Sequence, residues 1–173
     1  MSGTRDTVRG REIGARAQLP LLDRLLDDAP EDERDPPMSA AEAMAALRRG
    51  VRRDLENLLN ARRRWRSWPA HLKELETSPL AYGIPDFTAG AFNDPRRRQR
   101  LRQDIEDTIR RFEPRFVSVH VTLIEREDEQ LDGTLHLRID AELHADPAPE
   151  PIAFDTLLDA AADLVLVRGQ DGV

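Results

Sequence analysis

The 173-residue sequence contains no cysteine, which excludes disulfides, zinc–thiolate clusters, thiol redox centres and a cysteine nucleophile. It has no apolar run approaching the ~18 residues that read as a membrane span. Its first residues, Met1-Ser2-Gly3-Thr4-Arg5-Asp6, carry charge without the apolar stretch of a secretory signal. A cytoplasmic chain without direct membrane insertion is expected. Lysine is nearly missing: of 26 basic residues only Lys73 is a lysine. Arginine suits planar, two-pronged pairing with carboxylates. Neither a glycine-rich phosphate loop nor a nucleophile-elbow serine occurs. Charge is what the chain has in quantity, and its net −7 is unevenly spread. Residues 1–47 sum to −4, residues 48–115 to +7 and residues 116–173 to −10. Unlike faces of this kind suit a subunit lodged between different proteins.

Residues 1–18 lack any period and read as a mobile tail. Leu19, Leu22, Leu25 and Leu26 then repeat at helical spacing over two turns at most, too short to be stable without docking. Three prolines and four acids between Ala29 and Pro37 make an acidic linker, so residues 19–38 read as a short helix and linker. A single α+β domain is expected over 39–169, with 170–173 as a tail. Ser39 and Glu42 form a Ser-x-x-Glu capping box, after which Met44, Leu47, Val51, Leu55 and Leu58 line one face of a helix. Arginines 62, 63, 64 and 66 near its end are expected to complement the helix dipole. Residues 70–93 look mostly irregular. Asp94 as cap and Pro95 at the first helical position open a second helix, with Leu101, Ile105, Ile109 and Phe112 buried and Pro114 as its stop.

The period then changes from 3.6 to 2. Val117, Val119, Val121 and Leu123 form one alternating strand; Leu135, Leu137, Ile139, Ala141 and Leu143 form another. The expected hairpin sets Val121 opposite Leu137 and Val119 opposite Ile139, placing both apolar sets on one face. Ile152 and Phe154 suggest a third strand and Leu164–Val167 a fourth. The Asp159–Asp163 run between them lacks glycine and is compatible with a helical turn, leaving the last pairing open. Fold class is therefore α+β: two main helices packed on one face of a small, mainly antiparallel sheet of about four strands, with an N-terminal extension.

Chemistry-bearing candidates are few. Four histidines supply no third ligand to a paired site, so no metal or other cofactor is expected. Glu113, between Phe112 and Pro114, is the one acid with surroundings that suit general acid catalysis, but no partner carboxylate can be placed opposite it. The basic-aromatic run Arg62-Arg63-Arg64-Trp65-Arg66-Ser67-Trp68 and the arginines from Arg96 to Arg102 could contact phosphates and stack bases. The acidic balance and acidic strands oppose a nucleic-acid role.

Four segments together resemble TssE, the baseplate subunit of bacterial type VI secretion systems, and its relative in the baseplate wedge of contractile phage tails. They are Leu21-Leu22-Asp23-Arg24-Leu25, Arg53-Asp54-Leu55-Glu56-Asn57-Leu58-Leu59-Asn60, Tyr82-Gly83-Ile84-Pro85-Asp86-Phe87 and Phe112-Glu113-Pro114-Arg115. The resemblance implies a structural protein rather than an enzyme, joining the wedge and helping to start sheath polymerisation. Its implied partners are TssF, TssG and TssK in the wedge and TssB and TssC in the sheath. Glu113, Pro114 and Arg115, with Leu22, Asp23, Arg24, Leu25, Tyr82 and Asp86, become candidate interaction residues. For Glu113 and Arg115 an internal ion pair is the alternative. A lysozyme label also travels with this family, so a peptidoglycan hydrolase and a stand-alone anti-adaptor-type binding module remain alternative functions.

Overall fold

The computed structural model describes residues 23, 25, 31, 38–63, 68–69, 71–87, 94–124, 133–145 and 148–169. Leu22, Arg24, Arg64, Arg66, the first 18 residues and the last four lie outside the described residues, as does nearly all of the acidic linker. The Ser39 capping box is present and starts helix α1 (Ala40–Asn60). Ser39 Oγ accepts from the Glu42 amide at 3.3 Å, and Glu42 returns a bond to the Ser39 amide at 2.8 Å. The Ser39 hydroxyl and amide hold the Glu42 carboxyl below the ordinary glutamate range. Leu47, Val51, Leu55, Leu58 and Leu59 face inward, with Gly50 between them and Met44 at the margin.

Helix α2 (Pro95–Phe112) begins as its sequence dictates, with Asp94 accepting from the Arg96 amide at 2.9 Å. Leu101, Ile105, Thr108 and Ile109 are buried and Phe112 is half-buried. Between the helices, the segment expected to be irregular contains two 3-10 turns, Lys73–Thr77 and Pro79–Ala81. Such turns need no apolar period, only local bonds, and the Ser78 side chain supplies one by accepting from the Leu80 amide.

Strands β1 (Phe116–Ile124), β2 (Thr134–Leu143), β3 (Glu150–Asp159) and β4 (Leu164–Gly169) follow. They pair antiparallel in chain order β1-β2-β3-β4. Both helices lie against one face, where Val121, Leu137, Ile139, Phe154, Leu158 and Val165 complete the core with the helical leucines and isoleucines. Among the described residues no helix packs on the other face.

The β1–β2 register differs from expectation by two residues. Val121 faces Ile139 and Val119 faces Ala141, and His120 lies opposite Asp140 rather than Arg138. Alternation has period 2, so it sets which face a residue joins but not an even-numbered offset. At the far end an irregularity between Phe116 and Ser118 shifts the pairing by one residue, so that Phe116 meets Leu143, and the His144 amide donates to Arg115 O at 2.8 Å.

The last hairpin closes without glycine. Asp159 Oδ1 accepts from the amides of Ala161 and Ala162 at 2.8 and 2.9 Å, an Asx-type turn. Asp163 takes the left-handed conformation at φ 50°, which aspartate tolerates better than most residues.

Side chains from the helices occupy the outer edges of both edge strands. Arg102 donates to Val121 O at 3.0 Å, while Glu106 Oε2 accepts from the Val121 amide at 3.1 Å. On β4, Asn60 stands in for a neighbouring strand: its Nδ2 donates to Val165 O at 2.8 Å and its Oδ1 accepts from Val165 N at 2.9 Å. Edge backbone satisfied this way is less available for chance pairing.

Candidate functional site

The corner between α2 and β1 carries Glu113-Pro114-Arg115. The Glu113 amide closes the helix on Ile109 O at 2.8 Å, and the missing amide of Pro114 prevents a further turn. Glu113 turns inward and is only 5% exposed. Arg115 grips it from two sides: Nε donates to Oε1 at 2.6 Å and Nη2 donates to Oε2. The Arg115 amide adds a bond to Oε1 at 3.2 Å. The internal pairing that the sequence left open is therefore present, with Pro114 exposed and Arg115 partly so.

The network continues across the molecule. Arg115 Nη2 reaches Asp54 Oδ2 at 2.8 Å, Asp54 Oδ1 accepts from Arg53 Nε at 3.2 Å, and Arg53 Nη1 donates to Asp23 Oδ1 at 2.6 Å. Five charges alternate in sign along one chain of contacts, Glu113–Arg115–Asp54–Arg53–Asp23. Asp23, first and foremost, makes the Arg53 guanidinium harder to deprotonate. Burial acts to lower the Arg115 value, but its bonds to Glu113 and Asp54 outweigh that and raise it.

Tyr82 borders this network. Its ring stands edge-on to Phe112, with centroids 5.4 Å apart at 74°. Burial, followed by the negative charges of Asp54 and Glu113, pushes its phenol above the ordinary value of 10.0. The loop carrying it is strapped to the end of α1. Ile84 N donates to Ala61 O at 3.0 Å and Arg63 N to Ile84 O at 2.9 Å. Gly83 makes that approach possible at φ +100°, since a Cβ there would lie 2.3 Å from Ala61 O.

Among the described arginines past Asn60, Arg62 reaches back to the C-terminal end of α1, donating to Leu59 O at 2.8 Å, which puts a cation at the negative end of the helix dipole as expected. It also pairs with Asp163 at 2.6 Å. Its guanidinium carbon sits 4.4 Å from the Phe87 ring centroid, a cation–π contact.

The structure brings together Asp23, Tyr82, Glu113 and Arg115 from the expected interaction residues. Leu25 is 72% exposed and Asp86 is exposed at the end of the same loop. Arg53 and Asp54 are not among the expected interaction residues, although they stand inside the Arg53–Asn60 segment that carries the resemblance. Their signal is position: both are half-buried beside Val51 and Leu55, where an unpaired charge would be costly. Among the described residues no three metal-ligating side chains gather, and no helix is long and apolar enough to cross a membrane.

A family model described as baseplate wedge protein gp25 matches residues 45–148, well over half of the chain. The chain belongs to the gp25 baseplate wedge family. The matched span runs from within α1 to just past β2, so it contains Arg53, Asp54, Tyr82 and the Glu113–Arg115 corner. Neither the curated proteins nor the solved structures give a match. Membership in the gp25 family makes the protein a structural component of a phage-tail-like baseplate.

Proposed function

We propose that this chain is the gp25-family subunit of a type VI secretion baseplate in the bacterial cytoplasm. It joins the wedge through the surface around Leu25, Tyr82, Pro114 and Arg115. The observation that carries this reading is the ion-pair chain with Tyr82 at its border: segments separated by 30, 29 and 31 residues (Asp23, Arg53, Tyr82 and Glu113) meet at one place, and no single secondary element requires them to. An internal network of this kind holds Arg115 and Tyr82 rigid at the surface, so that docking costs little side-chain entropy. TssF, TssG and TssK are the wedge partners in this reading, and TssB and TssC the sheath proteins whose assembly it helps to start. The function is scaffolding: both carboxylate oxygens of Glu113 are engaged by Arg115, leaving neither directed at a sugar.

Co-expression with TssF, TssG and TssK from the same genome tests the reading. The wild-type chain co-purifies with the wedge, and Leu25→Asp lowers its recovery without moving the melting temperature, since Leu25 is largely exposed. Recovery of none of the three partners sinks the type VI assignment. Clearing of purified peptidoglycan that disappears in Glu113→Gln would instead establish a hydrolase.

A further inference from the structure

A groove of about 730 Å³ lies between the first half of α1 and one end of β3. Gly169 is the last residue of β4 and pairs with Phe154, so Glu150–Ala153 of β3 runs on with no described strand on that side. Met44 and Ile152, both half-buried, give the groove an apolar floor, and Ala41 and Ala45 keep the helix surface low beside it. Arg48, Arg49 and Arg52 stand over it, and among the described residues no acid lines it.

The arginines differ in what they hold. Arg48 and Arg53 of α1 each hold an acid, Glu150 at 2.7 Å and Asp23 at 2.6 Å. Arg49 and Arg52 are exposed and, among the described residues, pair with none. Unpaired guanidinium groups beside an apolar floor are complementary to carboxylates carried on an apolar segment.

We propose that this groove is a docking site for an acidic peptide segment of another protein, one that carries apolar side chains at regular spacing. The apolar floor supplies the buried contact, and Arg49 and Arg52 select acidic over basic partners. Nucleic acid fits less well, because a phosphate backbone gains nothing from the floor and Phe154 is only 1% exposed, leaving no ring for a base to stack on. The proposal rests on the groove's own lining residues and does not depend on the wedge reading.

Fluorescence anisotropy on the full chain tests it directly. The probe is a labelled synthetic peptide of glutamates with leucines at positions i, i+3, i+4 and i+7. Its comparators are the same peptide with lysine for glutamate, one with serine for leucine, and a single-stranded oligonucleotide. The glutamate–leucine peptide binds, and both peptide comparators bind at least about tenfold more weakly. Arg49→Glu with Arg52→Glu weakens binding by about tenfold or more at an unchanged melting temperature, as both side chains are exposed. No binding of the glutamate–leucine peptide, tighter binding of the oligonucleotide, equal binding of the lysine peptide, or indifference to the double substitution would each overturn the proposal. So would a roughly tenfold gain in affinity when Asp32, Glu33 and Asp35 are neutralised in the full chain. That result would make the chain's own acidic segment the occupant.

Discussion

Tyr82 is the only tyrosine in the chain, so its titration can be followed by ultraviolet absorbance without interference from another phenol. Burial is the largest reason its phenol is raised, ahead of the charges of Asp54 and Glu113. The native midpoint therefore lies above 10.0, and the urea-unfolded chain titrates at the ordinary value. Asp54→Asn lowers the native midpoint only part of the way; a complete return to 10.0 would show that charge, not burial, dominates. At the corner itself, Arg115→Ala leaves the buried Glu113 carboxylate without its main partner. A loss of about 3 kcal/mol is expected in urea unfolding, the low end for removing one member of a buried pair. A loss near zero would show that the pair contributes nothing to folding. The sequence marked Glu113 and Arg115 as a rigid opposite-charge pair, because proline fixes the corner between them. It did not mark Asp54, whose role depends on α1 lying against that corner.

Gly83 shows how an element can depend on one absent atom. Read alone, Tyr82-Gly83-Ile84-Pro85 is an ordinary turn. In the fold its backbone lies so close to Ala61 that a Cβ would overlap the carbonyl. Gly83→Ala should cost about 3 kcal/mol, from backbone strain and the lost Ile84–Ala61 bond, measured as a shift in the urea midpoint. A cost below 1 kcal/mol would mean that the loop moves away freely. The helices were legible because caps and 3.6-residue periods are local signals, and their ends at Ser39 and Asp94 follow directly. The 3-10 turns were not, since they have no period to display. The β1–β2 offset was not legible either, because alternation cannot distinguish registers two residues apart. Asn60 reads as a helix-end residue, yet it caps the edge of β4, 105 residues away. Asn60→Ala should therefore reduce stability by about 1 kcal/mol and increase self-association in light scattering, as Val165 regains a free backbone edge.

Across the whole molecule, Glu106 fastens the helical layer to the sheet. Burial alone would raise its carboxyl, but the Val121 amide, Arg110 and Arg102 together outweigh burial and hold it below the ordinary 4.5. A folded value below the unfolded one contributes stability that is complete above about pH 4.5 and is lost as pH falls through the folded value. Acid unfolding of the wild type should therefore steepen below that point. Glu106→Gln should be less stable at neutral pH and less sensitive to acid, as thermal melts across pH would show. Equal slopes for both proteins would remove Glu106 from acid unfolding. By itself, the sequence determined the α+β class, the helix starts, the inward faces and the family, because these rest on local periods, caps and short motifs. Tertiary structure decided the rest: which charges meet, which strand edges the helices cover and where a groove stays open. Those outcomes depend on residues far apart in the chain coming within a few ångströms, and no spacing along the sequence encodes that distance.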